Sequence, residues 1–140
     1  MRTAAAIALA AVAIAAAGCG RADYNADVSF DDVTDTIGLA GLEVCSTTTS
    51  DTPPPDAVEE RAYVVDDDCS DEDGRAVVVA TAYGNEDDRD AAAQRFEVQS
   101  RPPAQGAIWT FGPFTVRVSG DRDSDTVDAL TEALDAREAR

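Results

Sequence analysis

The apolar positions of this chain fall into one unbroken run and then a series of short periodic stripes. Residues 4–17, AAAIALAAVAIAAA, carry no polar side chain. Further on, Phe30, Val33 and Ile37 recur at i, i+3 and i+7 behind Ser29, a ready N-cap with Asp32 three residues later. That pattern predicts a helix, ended by Gly38 and Gly41. Leu42-Glu43-Val44-Cys45 alternates as a first strand, and residues 46–55, STTTSDTPPP, read as a loop stiffened by three prolines. Residues 59–66, EERAYVVD, predict a second strand and 75–83, RAVVVATAY, a third. The third is nearly continuous in apolar residues, which places it centrally in a sheet. The polar stretch between them closes on Asp73-Gly74, and two strands joined this way most simply form an antiparallel hairpin.

After Gly84, Asn85 is a credible N-cap, and Glu86, Asp87 and Asp88 suit the positive end of a helix dipole. Ala92 and Phe96, with Val98 beside them, are set to point inward. Residues 100–106, SRPPAQG, form a loop. Residues 107–111 and 114–118 are strand-like, divided by Gly112-Pro113, which shifts the alternation by one residue and marks a bulge or a tight bend. A last helix starts near Ser124 or Asp125, with Val127, Leu130 and Leu134 as its buried stripe and Arg137 and Arg140 near its negative end. The order α-β-β-β-α-β-α, with that one strand break, predicts an α+β fold. Its expected form is a two-layer sandwich, a mostly antiparallel sheet with the helices on one face.

The leading apolar run has a different meaning. As a helix it would span roughly 21 Å, short of the ~30 Å hydrocarbon core of a bilayer. With Arg2 before it, the run reads as the h-region of an export signal. It ends at Ala16-Ala17-Gly18-Cys19. This resembles the lipobox of prokaryotic lipoproteins, a leucine-like residue, two small residues and a cysteine; Ala16 stands where leucine is usual. The resemblance covers residues 1–19. It implies cleavage before Cys19, acylation of its thiol and anchoring in a lipid bilayer on the extracytoplasmic face. The alternative is an ordinary secretory leader cut after Ala17, with Cys19 incidental. The expected organisation is a leader over 1–18, a lipidated tether over 19–28 and one acidic domain over 29–140. The layout of the body loosely resembles that of small exported lipoproteins of high-G+C bacteria, a similarity of layout that carries no function.

Charge narrows the partners. The formal net charge is −17, and lysine and histidine are both absent. Losing Arg2 with the leader makes the remainder one unit more negative. Such a body is a poor binder of nucleic acid, whose affinity comes from clustered basic residues. Charged partners would be cationic envelope proteins or divalent metals, and solubility alone is the plainer meaning of the charge.

Cysteine usage agrees with export. If Cys19 carries lipid, Cys45 and Cys69 remain as a pair, and an oxidising compartment favours a disulfide between them over two free thiols. A metal site is poorly supported by a chain with no histidine and no CxxC motif.

The remaining candidate chemistry is acidic or aromatic. Asp121, Asp123, Asp125 and Glu132 fall at positions 1, 3, 5 and 12 of a calcium loop, but Thr126 replaces the glycine that such a loop needs. The turn over residues 66–74 is denser in aspartate but leaves Cys69 and Ala80 at the terminal ligand positions. With no histidine, no GxSxG, no phosphate-binding loop and no expected cofactor, the expectation is a non-enzymatic domain. The alternative is a divalent-cation-binding envelope protein that uses these aspartate-rich turns, and a carboxylate-only hydrolase is a distant third. Trp109, Phe111 and Phe114 concentrate the aromatic residues; plain core is their simpler meaning, and any of them left exposed would be the candidate partner contact.

Overall fold

A computed structural model describes residues 21–70, 72, 74–99, 107–121 and 124–140. The elements run α1 (Phe30–Leu39), β1 (Glu43–Thr49), β2 (Ala57–Asp66), β3 (Ala76–Tyr83), α2 (Glu86–Gln99), β4 (Ile108–Phe111), β5 (Phe114–Ser119) and α3 (Asp125–Glu138). The strands form one antiparallel sheet in the order β1-β2-β3-β5-β4. The fold is α+β in the expected order, and β3 sits at the centre of the sheet.

α1 is built at both ends by local chemistry. The Ser29 hydroxyl accepts from the Asp31 N–H, and the Asp32 carboxylate reaches back to the Ser29 N–H at 2.8 Å, a reciprocal capping box. At the other end Gly41 takes φ +77°, which glycine adopts without strain. That turn lets Gly41 donate to the Gly38 carbonyl and Leu42 to the Ile37 carbonyl, the two bonds of a Schellman ending. Leu42, now buried, enters the sheet at once.

Gly112-Pro113 is a hairpin turn rather than a bulge. Phe111 pairs directly with Phe114, leaving those two residues as the whole connection. Gly112 has φ +52°, and proline's fixed negative φ follows it, the combination of a type II′ turn that matches strand twist. Directly opposed residues share a sheet face, so Trp109, Phe111, Phe114 and Val116 all point the same way. Within a single strand the alternation shift would have split them.

That face carries the main core. Val33 and Ile37 of α1 and Leu130 and Leu134 of α3 pack there on Tyr63, Val65, Val78, Ala80 and the aromatic hairpin. Phe30 packs against Phe114 with centroids 4.7 Å apart and ring planes tilted by 59°. The helices do not all share this face, however. α2 lies across the opposite one, where Phe96 receives the Arg117 guanidinium at 4.1 Å, and its Ala92 and Ala93 are buried. The expected two-layer packing is therefore corrected to helix, sheet, helix over the β3–β5–β4 half. The reason is chain path: α2 joins β3 to the far edge strand β4 and crosses the side that α1 and α3 leave free. Val98, expected to point inward, is 60% exposed.

Two boundaries also move. β1 continues through Ser46–Thr49, expected as loop, because each residue pairs with β2. Residues 21–28, expected as a tether, pack on the body: Ala22 and Val28 both lie against the core.

Candidate functional site

Cys19 lies outside the described residues, and the described chain from Arg21 onward is closely held. The Ala22 N–H donates to the Thr110 Oγ1 at 3.2 Å, and its carbonyl accepts from Arg89 at 2.8 Å. The Tyr24 hydroxyl donates to the Tyr83 carbonyl at 3.0 Å. Val28 packs on Gly112 so closely that a Cβ at that glycine would come within 2.4 Å of the Val28 Cβ. Arg21 pairs with Glu97 at 3.6 Å. The chain thus joins the body at the end of the sheet that carries the Gly112-Pro113 turn.

Arg89 organises this end. Its side chain is fully buried, yet every arm of the guanidinium is engaged. One donates to the Gly112 carbonyl at 2.7 Å, another to Ala22, and Nε to Asp90 at 2.9 Å. A planar fork suits three acceptors in fixed positions, which a lysine could not meet. Nothing in the sequence pattern signals this residue, since an arginine in an acidic helix reads as a surface charge.

The disulfide occupies the opposite end. Cys45 and Cys69 are bonded with Cα atoms 5.3 Å apart, joining the start of β1 to the acidic turn. That turn is organised by its own backbone: Asp68 accepts from the Ser70 N–H at 2.9 Å, which holds its carboxyl below the usual range, and Arg75 donates to the Cys69 carbonyl at 2.7 Å. Asp71 and Asp73 lie outside the described residues, as do Arg122 and Asp123 of the other acidic stretch. Ser124, inside that second stretch, is the N-cap of α3, its hydroxyl accepting from the Val127 N–H. The helix therefore begins where a calcium loop would still need irregular backbone. Among the described residues no three cysteine, aspartate, glutamate or histidine side chains are grouped to hold a metal ion.

The aromatic residues take the simpler of their two expected roles, and the candidate partner contact is withdrawn. Trp109, Phe111 and Phe114 are 3%, 3% and 1% exposed and belong to the core rather than to a contact surface. The Trp109 indole N–H is satisfied by Asp135 at 2.7 Å, which lets a polar-tipped side chain be buried. On the α2 face a polar group gathers instead: Glu60 accepts from the Thr81 hydroxyl at 2.8 Å and from Arg117 at 3.4 Å. Burial pushes the neighbouring Tyr83 phenol up, opposed by the Thr115 hydroxyl and by the Arg95 and Arg117 cations. A shallow groove of about 350 Å³ runs between α1 and α3, lined by Leu39, Ala133, Ala136 and Arg137 among others.

Asp32 couples the two helices beside that groove, bonding the Ser29 N–H and the Arg137 guanidinium at 3.1 Å. The Ser29 backbone N–H, then Arg137, hold its carboxyl below its ordinary value of 3.8. A depressed folded value means stability present above 3.8 and lost as pH falls through the folded value. Asp32→Asn is expected to lose about 1 kcal/mol at neutral pH, the usual worth of such a cap. In thermal melts across pH, the gap from wild type should close in strong acid; a gap of constant size would refute the assignment.

Comparison with protein-family models, curated proteins and solved structures gives no match. Among the described residues no helix is long and apolar enough to cross a membrane.

Proposed function

We propose that this protein is a lipid-anchored domain on the extracytoplasmic face of the cell membrane, serving as a non-enzymatic binding or accessory module of the envelope. The observation that carries the reading is Ala16-Ala17-Gly18-Cys19 at the end of an apolar leader. Acylation there would give stable anchoring, because each buried methylene contributes ~0.8 kcal/mol and more than one chain is attached. Two further features support it. The Cys45–Cys69 disulfide suits an oxidising compartment. The closely held segment from Ala22 onward also leaves little slack between Cys19 and the body. On this reading the hairpin end faces the bilayer and the disulfide-bound acidic turn faces away from it.

The experiment is fractionation of cells producing wild type and Cys19→Ala. The wild type should pellet with membranes and resist high salt, whereas the variant should appear in the soluble fraction. A variant that stays membrane-bound in high salt would show that the anchor lies elsewhere. Crosslinking in intact cells, with the same variant as control, tests the accessory role: a specific envelope protein should be captured only by the anchored form.

A further inference from the structure

We infer that the outer edge of β1 is a docking edge, taking an extended, basic-flanked segment of a partner protein as an added strand of the sheet. The inference rests on the binding role proposed above and names its surface.

An open sheet edge is a row of unpaired N–H and C=O groups, which proteins ordinarily blunt with charge, proline or cover. The two edges of this sheet are treated differently. β4 is short and closed: the Thr110 N–H donates to Glu138 at 2.9 Å, and the Thr110 hydroxyl holds both Ala22 and Glu138. β1 is longer, and Ser46–Thr49 are all exposed, with no charge and no proline among them. Its outer side pairs with no described strand.

The hydrogen-bond phase defines what is on offer. The Ser50 N–H donates to the Glu60 carbonyl at 2.9 Å. Antiparallel alternation then turns Ser46 and Thr48 toward β2 and directs the N–H and C=O of Thr47 and Thr49 outward. The window has fixed ends. The irregular register at Val44/Ser46 and the Cys45–Cys69 bond close one, and Pro53–Pro55 follow the other. Backbone donors and acceptors held in register by a rigid sheet are what strand addition uses for affinity.

Charge selects the occupant. Glu43 and Asp51 bracket the window on a chain of net charge −17. A segment with basic residues beyond its paired centre would complement them, whereas a second copy would set like charges together.

The test uses the full chain in detergent micelles and a short capped peptide of alternating threonine and valine with an arginine at each end. Amide exchange is read residue by residue. Saturating peptide should slow Thr47 and Thr49 by at least about fivefold and leave Ser46 and Thr48 as they were. Thr47→Pro removes an outward donor without taking a ladder bond, and should abolish the slowing while β2–β3 protection stays intact. Should that variant lose its fold, the same peptide N-methylated on its edge-facing amides must fail to protect. Glutamate in place of the terminal arginines should weaken binding by at least about fivefold. No slowing at Thr47 and Thr49, equal slowing by the methylated peptide, equal binding with glutamate ends, or slowing that follows protein concentration without peptide would overturn the inference. The last would identify a second copy as the occupant. None of these outcomes touches the fractionation of Cys19→Ala, so the edge and the anchor stand or fall separately.

Discussion

Arg89→Met is expected to destabilise the domain by about 3–5 kcal/mol, the scale for breaking a buried charged network from one side. The argument starts from what stays behind. Methionine fills much of the space, but the buried carbonyl of Gly112 and the partly buried carbonyl of Ala22 lose their donor. An unpaired buried acceptor costs about 1–3 kcal/mol, which falls in full on Gly112 and in part on the less buried Ala22. Replacing both sides of a buried ionic contact by apolar groups can be neutral, but backbone carbonyls cannot be replaced. Arg89→Lys should rescue only part, because one ammonium cannot reach Gly112, Ala22 and Asp90 at once. In thermal unfolding the methionine variant should melt more than about 10 °C below wild type. Exchange at the Ala22 amide should also rise ahead of the central strands, since Arg89 holds the segment that presents it. A shift of less than about 2 °C would show that the guanidinium is not the clasp its geometry describes.

Removing the disulfide is expected to have an effect of similar size by a different route. Cys45 and Cys69 are 24 residues apart, and closing such a loop raises the free energy of the unfolded chain by about 3.5 kcal/mol through lost entropy on the chain-entropy model. Against a net stability of about 5–15 kcal/mol for a domain, that is a large share. Cys45→Ser with Cys69→Ser should therefore lower the denaturant midpoint markedly. The loss should appear first at one edge. β1 buries almost no side chain and is held by its pairing to β2 and by this bond. Its amides and those of the acidic turn should lose exchange protection before β3 and β5 do. Uniform loss across the sheet would instead place the whole effect in the unfolded state. Non-reducing peptide mapping of the wild type should recover the two cysteines in one linked fragment.

These two residue sets also differ in how far the sequence announced them. The cysteine pair followed from compartment and count. Arg89 did not, because its burial depends on three acceptors drawn from separate parts of the chain: Ala22, Gly112 and Asp90. No local pattern encodes that meeting.

Much of the fold was local and therefore legible. The capping box at Ser29 and Asp32, the Gly41 ending, the apolar run of β3 and the stripe of α3 each satisfy backbone or burial needs within a few residues. Such needs leave a periodic trace. The apolar run and the small residues before Cys19, on which the proposed leader rests, are short-range sequence features of the same kind. Other features were decided only when distant segments met. Ser46–Thr49 became a strand although nothing on it is buried, because β2 supplies the ladder; an edge strand with two wet sides has no hydrophobic period to read. The three aromatic residues reached one face because the connection at Gly112-Pro113 is a hairpin, in which paired residues share a side. α2 took the opposite face from α1 and α3 because its strands lie at different places in the sheet. Periodicity reports which side of an element seeks burial; which partner buries it is settled by the order of the strands, a property of the whole chain.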